Sequence, residues 1–237
     1  MSCPLPAHLA QFEASGLVEN ETIAQFEIGE YRNFVYLILD WSTRRAAWVD
    51  PQKNLTEPLS ALERHGFALD RILLTHSHPD HTAGVPELAM LFPRVPITLH
   101  EADLFRIREP LRSHPSLESV QDGATFEWGH TRVRTLHTPG HSAGECSFLV
   151  ESKVSPERAY LLTGDTLFIR DCGNTSQPTG DNAQMYASLQ RIKRLPSETI
   201  ILPGHHYTLE TASTLEKEMR ESPPFLCRSV EELAALP

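Results

Sequence analysis

Three things are scarce in this 237-residue chain, and each scarcity removes a class of protein. Cysteine is the first: Cys3, Cys146, Cys172 and Cys227 lie far apart and form no CxxC pair. That spacing argues against a disulfide-stapled scaffold and suits reduced thiols inside a cell. Long apolar runs are the second. The longest unbroken one is Phe34 to Leu39, far short of the roughly 20 residues of a membrane-spanning helix. The first thirty residues also lack a basic segment followed by an apolar one, so no export signal is expected and the chain reads as cytoplasmic. Positive charge is the third: 21 basic residues face 31 acidic ones, a net charge of −10. A chain of that sign has no general attraction for nucleic acid or for an anionic membrane.

What is present in excess is histidine. Twelve histidines in 237 residues is about twice the share of an average protein, and histidine is the commonest metal ligand. With 40% hydrophobic and 22% charged residues, no internal repeat and no low-complexity tract, the chain otherwise reads as an ordinary globular protein.

Apolar runs, continuous or alternating, predict strands at 33–39, 46–49, 71–75, 97–100, 125–128, 132–136, 146–150, 159–163 and 199–202. Trp128-Gly129-His130-Thr131 reads as a tight turn between two of them. Helix starts are expected at Asn54 with Glu57 and at Ser229 with Glu232, both in capping-box spacing. Met185, Leu189 and Ile192 form one apolar stripe over 182–195. Strands with helices inserted among them indicate a layered α/β or α+β architecture.

The strand ending at Thr75 runs directly into His76-Ser77-His78-Pro79-Asp80-His81, an HxHxDH pattern. Side chains at i and i+2 of an extended segment point the same way, so His76 and His78 can grip one metal. A turn at Pro79 would let Asp80 and His81 face a second. Three later segments repeat the grammar of a ligand just past an apolar strand: Pro139-Gly140-His141, Thr163-Gly164-Asp165 and Pro203-Gly204-His205. Glycine precedes the ligand each time, which permits a sharp turn or close packing at a crowded site.

On these residues the chain resembles the metallo-β-lactamase-fold superfamily of metallohydrolases over nearly its whole length. The resemblance implies a four-layer αββα sandwich, here a single domain over 1–237 with a short C-terminal helical tail. It also implies a metal site between the two sheets. His76, His78 and His141 would hold the first metal, Asp80, His81 and His205 the second, and Asp165 would bridge them. Two divalent ions sharing a water give a hydroxide nucleophile at neutral pH, which Asp80 would help to orient. For a donor set of imidazoles and carboxylates zinc is the first choice, with manganese or iron as alternatives.

Two branches are most similar: glyoxalase II, which hydrolyses acyl-glutathione thioesters, and the persulfide dioxygenases, which use one iron. Asp165-Thr166-Leu167-Phe168, Cys172-Gly173 and Gly204-His205-His206-Tyr207 resemble the hydrolase; Ile169-Arg170 and the short tail resemble the dioxygenase. The expected substrate is a small acyl thioester or a thiol-derived molecule, and in the dioxygenase reading His76, His141 and Asp165 would hold a single Fe2+. Two departures concern the substrate. Only 32 residues follow His205 (237 − 205), too few for the helical domain with which long glyoxalase II enzymes bind glutathione. Both branches usually carry a basic residue directly after Cys-Gly, and here that position is Asn174. Asn174, Tyr207 and Arg170, the last as a substitute cation, are the candidate substrate-binding residues. His206 and His137 are expected to support or pack, and His8, His65, His100, His114 and His130 to be structural or surface residues.

Overall fold

The run Phe34 to Leu39 has no polar face because it is covered on both sides. It forms the middle of a strand in which every residue from Asn33 to Asp40 is buried. Val35, Leu37 and Leu39 pack in one apolar cluster, and Phe34, Tyr36 and Ile38 in another. Successive side chains of a strand point to opposite faces, so a strand sandwiched between two layers must be apolar throughout.

The computed structural model describes residues 16–236. A first six-stranded sheet runs in chain order: β1 (Ile23–Ile28), β2 (Asn33–Asp40), β3 (Arg45–Val49), β4 (Ala68–Leu73), β5 (Ile97–His100) and β6 (Leu117–Val120). β1, β2 and β3 pair antiparallel, and β3 to β6 pair parallel. Helices α1 (Thr56–His65), α2 (Pro79–Thr82) and α3 (Val85–Leu91) lie among these strands. A second six-stranded sheet comprises β7 (Thr125–Trp128), β8 (Thr131–His137), β9 (Cys146–Ser152), β10 (Ser155–Gly164), β11 (Ile200–Pro203) and β12 (Ser213–Thr214), again in chain order. Its helices are α4 (Asn182–Ile192), α5 (Leu215–Glu221), α6 (Pro223–Leu226) and α7 (Val230–Ala234).

Three apolar clusters define the four layers. Ala61 and Leu62 of α1 and Val85 and Leu88 of α3 pack on Val35, Trp48 and Ile72 of the first sheet. Tyr36, Val49 and Leu73 meet Phe148, Tyr160 and Leu202 between the sheets. Met185, Leu189 and Ile192 of α4, with Phe225 and Leu233, cover Leu149, Leu161 and Ile201 on the far side. This is the expected αββα sandwich, and the stripe on α4 is core.

Several boundaries differ from the sequence reading for local reasons. β4 starts at Ala68 and ends at Leu73, because the Thr75 N–H leaves the ladder and donates to the Asp50 carboxylate at 2.7 Å. β1, β6 and β12 were not expected. In β1, buried Gln25 interrupts the apolar pattern; its amide donates to the Tyr36 hydroxyl and the Thr211 carbonyl. β6 is a mostly exposed edge, and β12 has two residues. Asn54 accepts from the Thr56 N–H at 3.2 Å, but α1 begins at Thr56 without a side-chain cap. Ser229 does cap α7, accepting from the Glu232 N–H, while Glu232 reaches back to the Arg228 N–H. Cys3 and His8 lie outside the described residues. No helix among the described residues is long and apolar enough to cross a membrane.

The sheets are tied together at one end by buried Asp40. Its carboxylate accepts the N–H groups of Thr43, His130 and Thr131 and the hydroxyls of Ser42, Thr43 and Thr131, joining β2 to the β7–β8 turn. Burial opposes its charge, but these donors outweigh burial and lower its pKa from 3.8 to about 2. Asp40→Ala should therefore destabilise the fold by about 3 kcal/mol at pH 7, measured by urea unfolding. Because the folded-state pKa is lowered, the ionisation-linked part, about 2 kcal/mol, is present above the unfolded value and lost as the pH falls through about 2. The gap between wild type and variant should shrink accordingly in acid.

Candidate metal centre

The strand ends that carry the motifs converge at one edge between the two sheets. β3 delivers Asp50, β4 continues through Leu74 and Thr75 to His76, β10 delivers Asp165 directly, and β11 leads through Gly204 to His205. His141 follows β8 by a short turn. Backbone bonds across the seam, Cys146 N–H to the Thr75 carbonyl and Phe34 N–H to the Gly204 carbonyl, both 2.8 Å, hold the two halves in register.

The HxHxDH segment behaves as its spacing suggests. His78 is extended (φ −65°, ψ 147°) and precedes α2, whose first residue is Pro79. Proline fits a first helical position because its missing N–H has no partner there. The single turn that follows puts Asp80 and His81 beside the second cluster. Two glycines are forced. Gly164 has φ +50°, and a Cβ there would lie 2.4 Å from the Glu145 carboxylate. At Gly204 a Cβ would lie 2.4 Å from the Asp165 carboxylate.

Two groups of donor atoms result. His76 Nε2 and His141 Nε2 each lie 2.9 Å from His78 Nδ1. His81 Nε2 lies 3.1 Å from His205 Nε2, with the Asp80 carboxylate 3.4 to 3.5 Å from both. Asp165 stands between the groups, 3.4 Å from His81 and His205 and 3.5 Å from His141. His76, His78 and His141, and likewise Asp80, His81 and His205, are close enough to hold one ion each. The seven residues singled out in the sequence are thus brought together.

What fixes the rings is a set of groups that sequence reasoning missed. His81 Nδ1 faces Asp50 at 3.0 Å, His141 Nδ1 faces the Asn174 carbonyl at 2.8 Å, and His205 Nδ1 faces the Tyr31 carbonyl at 2.9 Å. His76 Nδ1 faces the Thr75 hydroxyl at 3.0 Å and the Glu145 carboxylate at 3.4 Å. With the outer nitrogen donating, the inner nitrogen presents its lone pair inward. Inward-facing lone pairs repel unless a cation lies between them. The buried Asp165 Oδ1, which has no hydrogen-bond partner, fits the same reading. The donor set therefore fits a metal.

Asp103, fully buried, fastens the motif from behind: it accepts from the Ser77 N–H and hydroxyl, the Ser142 hydroxyl and the Gly144 N–H. Asp50 joins a third grouping with His76 and His81, but its oxygens are taken by Thr75 and His81. The available signal for Asp50, Asp103 and Glu145 was a carboxylate at the edge of an apolar strand or turn, with no motif to mark it.

The electrostatics of the two groups differ. Burial, reinforced by neighbouring imidazoles, pushes His76 well below its ordinary value. Burial, His141 and Arg106 bring His78 down to about 4. In the second group burial is overridden: Asp165, Asp50 and Asp80 raise His81, and Asp165 and Asp80 raise His205 to about 10. Burial also opposes charge on Asp80, yet His205, His81 and Asn33 hold its carboxyl well below the usual range. Glu145 is pushed far upward, first by burial and then by Asp165.

A cleft of about 590 Å3 opens beside this centre, lined by His141, Asp165, Phe168, Asn174, Tyr207 and Leu233 among others. Tyr207 stacks on His205 (ring centroids 4.8 Å apart) and is 57% exposed. Asn174 reaches the cleft, but its side chain accepts from the Ser176 N–H at 2.6 Å and its carbonyl orients His141. Arg170 does not line the cleft. Its guanidinium is paired with Glu210 and Glu221, so the substitute cation suggested by the sequence is turned elsewhere. His206 is engaged by Glu27, and His137 stacks on His100 at 3.9 Å.

Zinc added to metal-stripped protein at pH 7 should release protons, because His205 is protonated there until a metal takes its place. Loading of the Asp80, His81 and His205 group should therefore fall more steeply with acid than that of the other group, as metal analysis between roughly pH 5.5 and 8 would record. Asp50→Asn should weaken zinc binding by about 10- to 100-fold in a competition titration.

Residues 39–205 match the Metallo-beta-lactamase superfamily. The chain is 34% identical over 187 residues to the human hydroxyacylglutathione hydrolase-like protein, covering 78% of this chain and 60% of that one. It is 35% identical over 176 residues to the hydroxyacylglutathione hydrolase of Aliivibrio fischeri, covering 74% and 62%. The chain thus spans about 60% of the length of these curated relatives. The crystal structure of ETHE1 from Myxococcus xanthus shares 27% identity at a TM-score of 0.75, covering 91% of this chain and 92% of that one. A match that runs from the end of β2 to His205, on a sandwich of the same architecture, makes this chain a member of the metallo-beta-lactamase superfamily.

Proposed function

We propose that the protein is a metal-dependent hydrolase that cleaves a thioester or a related activated acyl bond, in the manner of a hydroxyacylglutathione hydrolase. The observation that carries the reading is the pair of donor groups sharing Asp165 beside an open cleft. The names of the curated relatives support the substrate class.

In this reading His76, His78 and His141 hold one divalent ion, Asp80, His81 and His205 another, and Asp165 belongs to both. Zinc is the first choice for such donors. When bound, the ions supply Lewis acidity that lowers the pKa of a water and polarises the scissile carbonyl. The chain's own residues do the positioning. Asp80, ionised at neutral pH and steadied by the Asn33 amide at 3.0 Å, keeps an acceptor aimed into the centre to orient an attacking water. Tyr207, raised to about 12 by burial and the nearby aspartates, stays protonated and offers its hydroxyl to substrate at the cleft. The Asn174 carbonyl holds His141 in register.

A second reading is a mononuclear iron persulfide dioxygenase, with one iron held by His76, His141 and Asp165. The Ile169-Arg170 sequence favours it.

His78→Ala and His205→Ala should each lower thioester hydrolysis by at least about a thousandfold, the scale of losing one metal's contribution. Circular dichroism would check that both variants fold. One iron per chain and oxygen uptake on glutathione persulfide, undiminished in both variants, with thioesters left intact, would replace the hydrolase with the dioxygenase.

A further inference from the structure

A second cleft, about 670 Å3, is lined in part by Ser77 and Pro79, the chain neighbours of His78. Its wall includes the exposed ring of Phe105 and the side chain of Arg106, the last residue of the 3-10 turn Glu101–Arg106. Arg106 is half-buried. Its guanidinium donates to the Thr179 hydroxyl at 3.1 Å. Among the described residues no carboxylate pairs with it; Glu109, on the same wall, takes the Ser113 hydroxyl at 2.8 Å instead.

This placement is costly without a further partner. A half-buried guanidinium held by one neutral hydroxyl has lost water without gaining an opposite charge. An anion in the cleft would supply the missing opposite charge. The neighbouring 590 Å3 cleft does not offer an alternative: its described lining contains Asp171 and no lysine or arginine. Thr179 belongs to the segment between Gly173 and Asp181, whose Asn174, Thr175 and Ser176 line that cleft, so Arg106 is fastened to the loop that walls it.

We propose that Arg106 anchors a carboxylate on the thiol-carrier arm of the substrate, seating that arm in the cleft beside His78. The proposal rests on the thioesterase reading above. The carrier is the long arm of such a substrate, and a glutathione-type carrier ends in carboxylates. A guanidinium pairs a carboxylate through two parallel hydrogen bonds, which fixes direction as well as charge. The cation absent at Asn174 is thus supplied from a different element.

The test compares wild type, Arg106→Gln and Arg106→Lys on two thioesters with the same acyl group, S-lactoylglutathione and S-lactoyl-N-acetylcysteamine; only the first carries carboxylates. Arg106→Gln should raise KM for the glutathione thioester about tenfold or more, with kcat little changed, and leave KM for the cysteamine thioester unaltered. Arg106→Lys should fall between the two. Unaltered cysteamine turnover and metal content show that the variant is folded. Equal changes on both thioesters, or on neither, overturn the proposal. Calorimetric titration of S-methylglutathione, which cannot be hydrolysed, separates this question from the function. If wild type cleaves neither thioester, the thioesterase reading fails. Arg106 then stands only if S-methylglutathione binds wild type about tenfold or more tightly than Arg106→Gln. Equal affinity, or no binding to either, overturns it.

Discussion

The centre depends on what lies behind its histidines. An imidazole can face inward with either nitrogen and can rotate about its bonds; a hydrogen bond from the outer nitrogen removes both freedoms. Here that bond is made by Asp50, by the Asn174 and Tyr31 carbonyls, and by the Thr75 hydroxyl with Glu145 nearby. Asp50 does more than hold His81. By accepting from the Thr75 N–H and hydroxyl it also decides where β4 stops and where the HxHxDH turn begins. One buried carboxylate thus sets a strand end, a rotamer and a tautomer together.

The difference in charge environment between the two donor groups follows from the same arrangement. His76 and His78 sit among other imidazoles and away from direct carboxylate contact, apart from Glu145, whose own ionisation burial opposes. His81 and His205 sit among Asp50, Asp80 and Asp165. A chain carrying a net charge of −10 thus gathers Asp50, Asp80 and Asp165 around His81 and His205, while of these three only Asp165 also approaches a ring of the other group, His141.

The layered fold and the seven converging residues were legible in the sequence because both leave local marks. Continuous apolar runs report strands covered on two faces, and HxHxDH and the three Gly-ligand turns each occupy a few adjacent positions. The supporting acids were not legible: Asp50, Asp103 and Glu145 act across sequence separations of 20 to 69 residues and stand singly in the chain. Nor were the carbonyls of Asn174 and Tyr31, since a backbone acceptor has no residue signature. In the sequence Asn174 stands out for the charge its side chain lacks, whereas its bond to His141 comes from the main chain. An arginine next to a motif, such as Arg170, looks available in the sequence, but its partners, Glu210 and Glu221, are distant in the chain.

The seam between the sheets carries a mechanical meaning as well. His76, His78, Asp80 and His81 follow β4 of the first sheet, whereas His141, Asp165 and His205 follow β8, β10 and β11 of the second. Each donor group takes members from both sheets. An ion gripped by either group is consequently a rivet through the sandwich, and prising the layers apart means pulling out a ligand. Occupancy then reads out as resistance to unfolding, growing with the logarithm of free metal over its dissociation constant. The protein's durability becomes a gauge of the metal available around it.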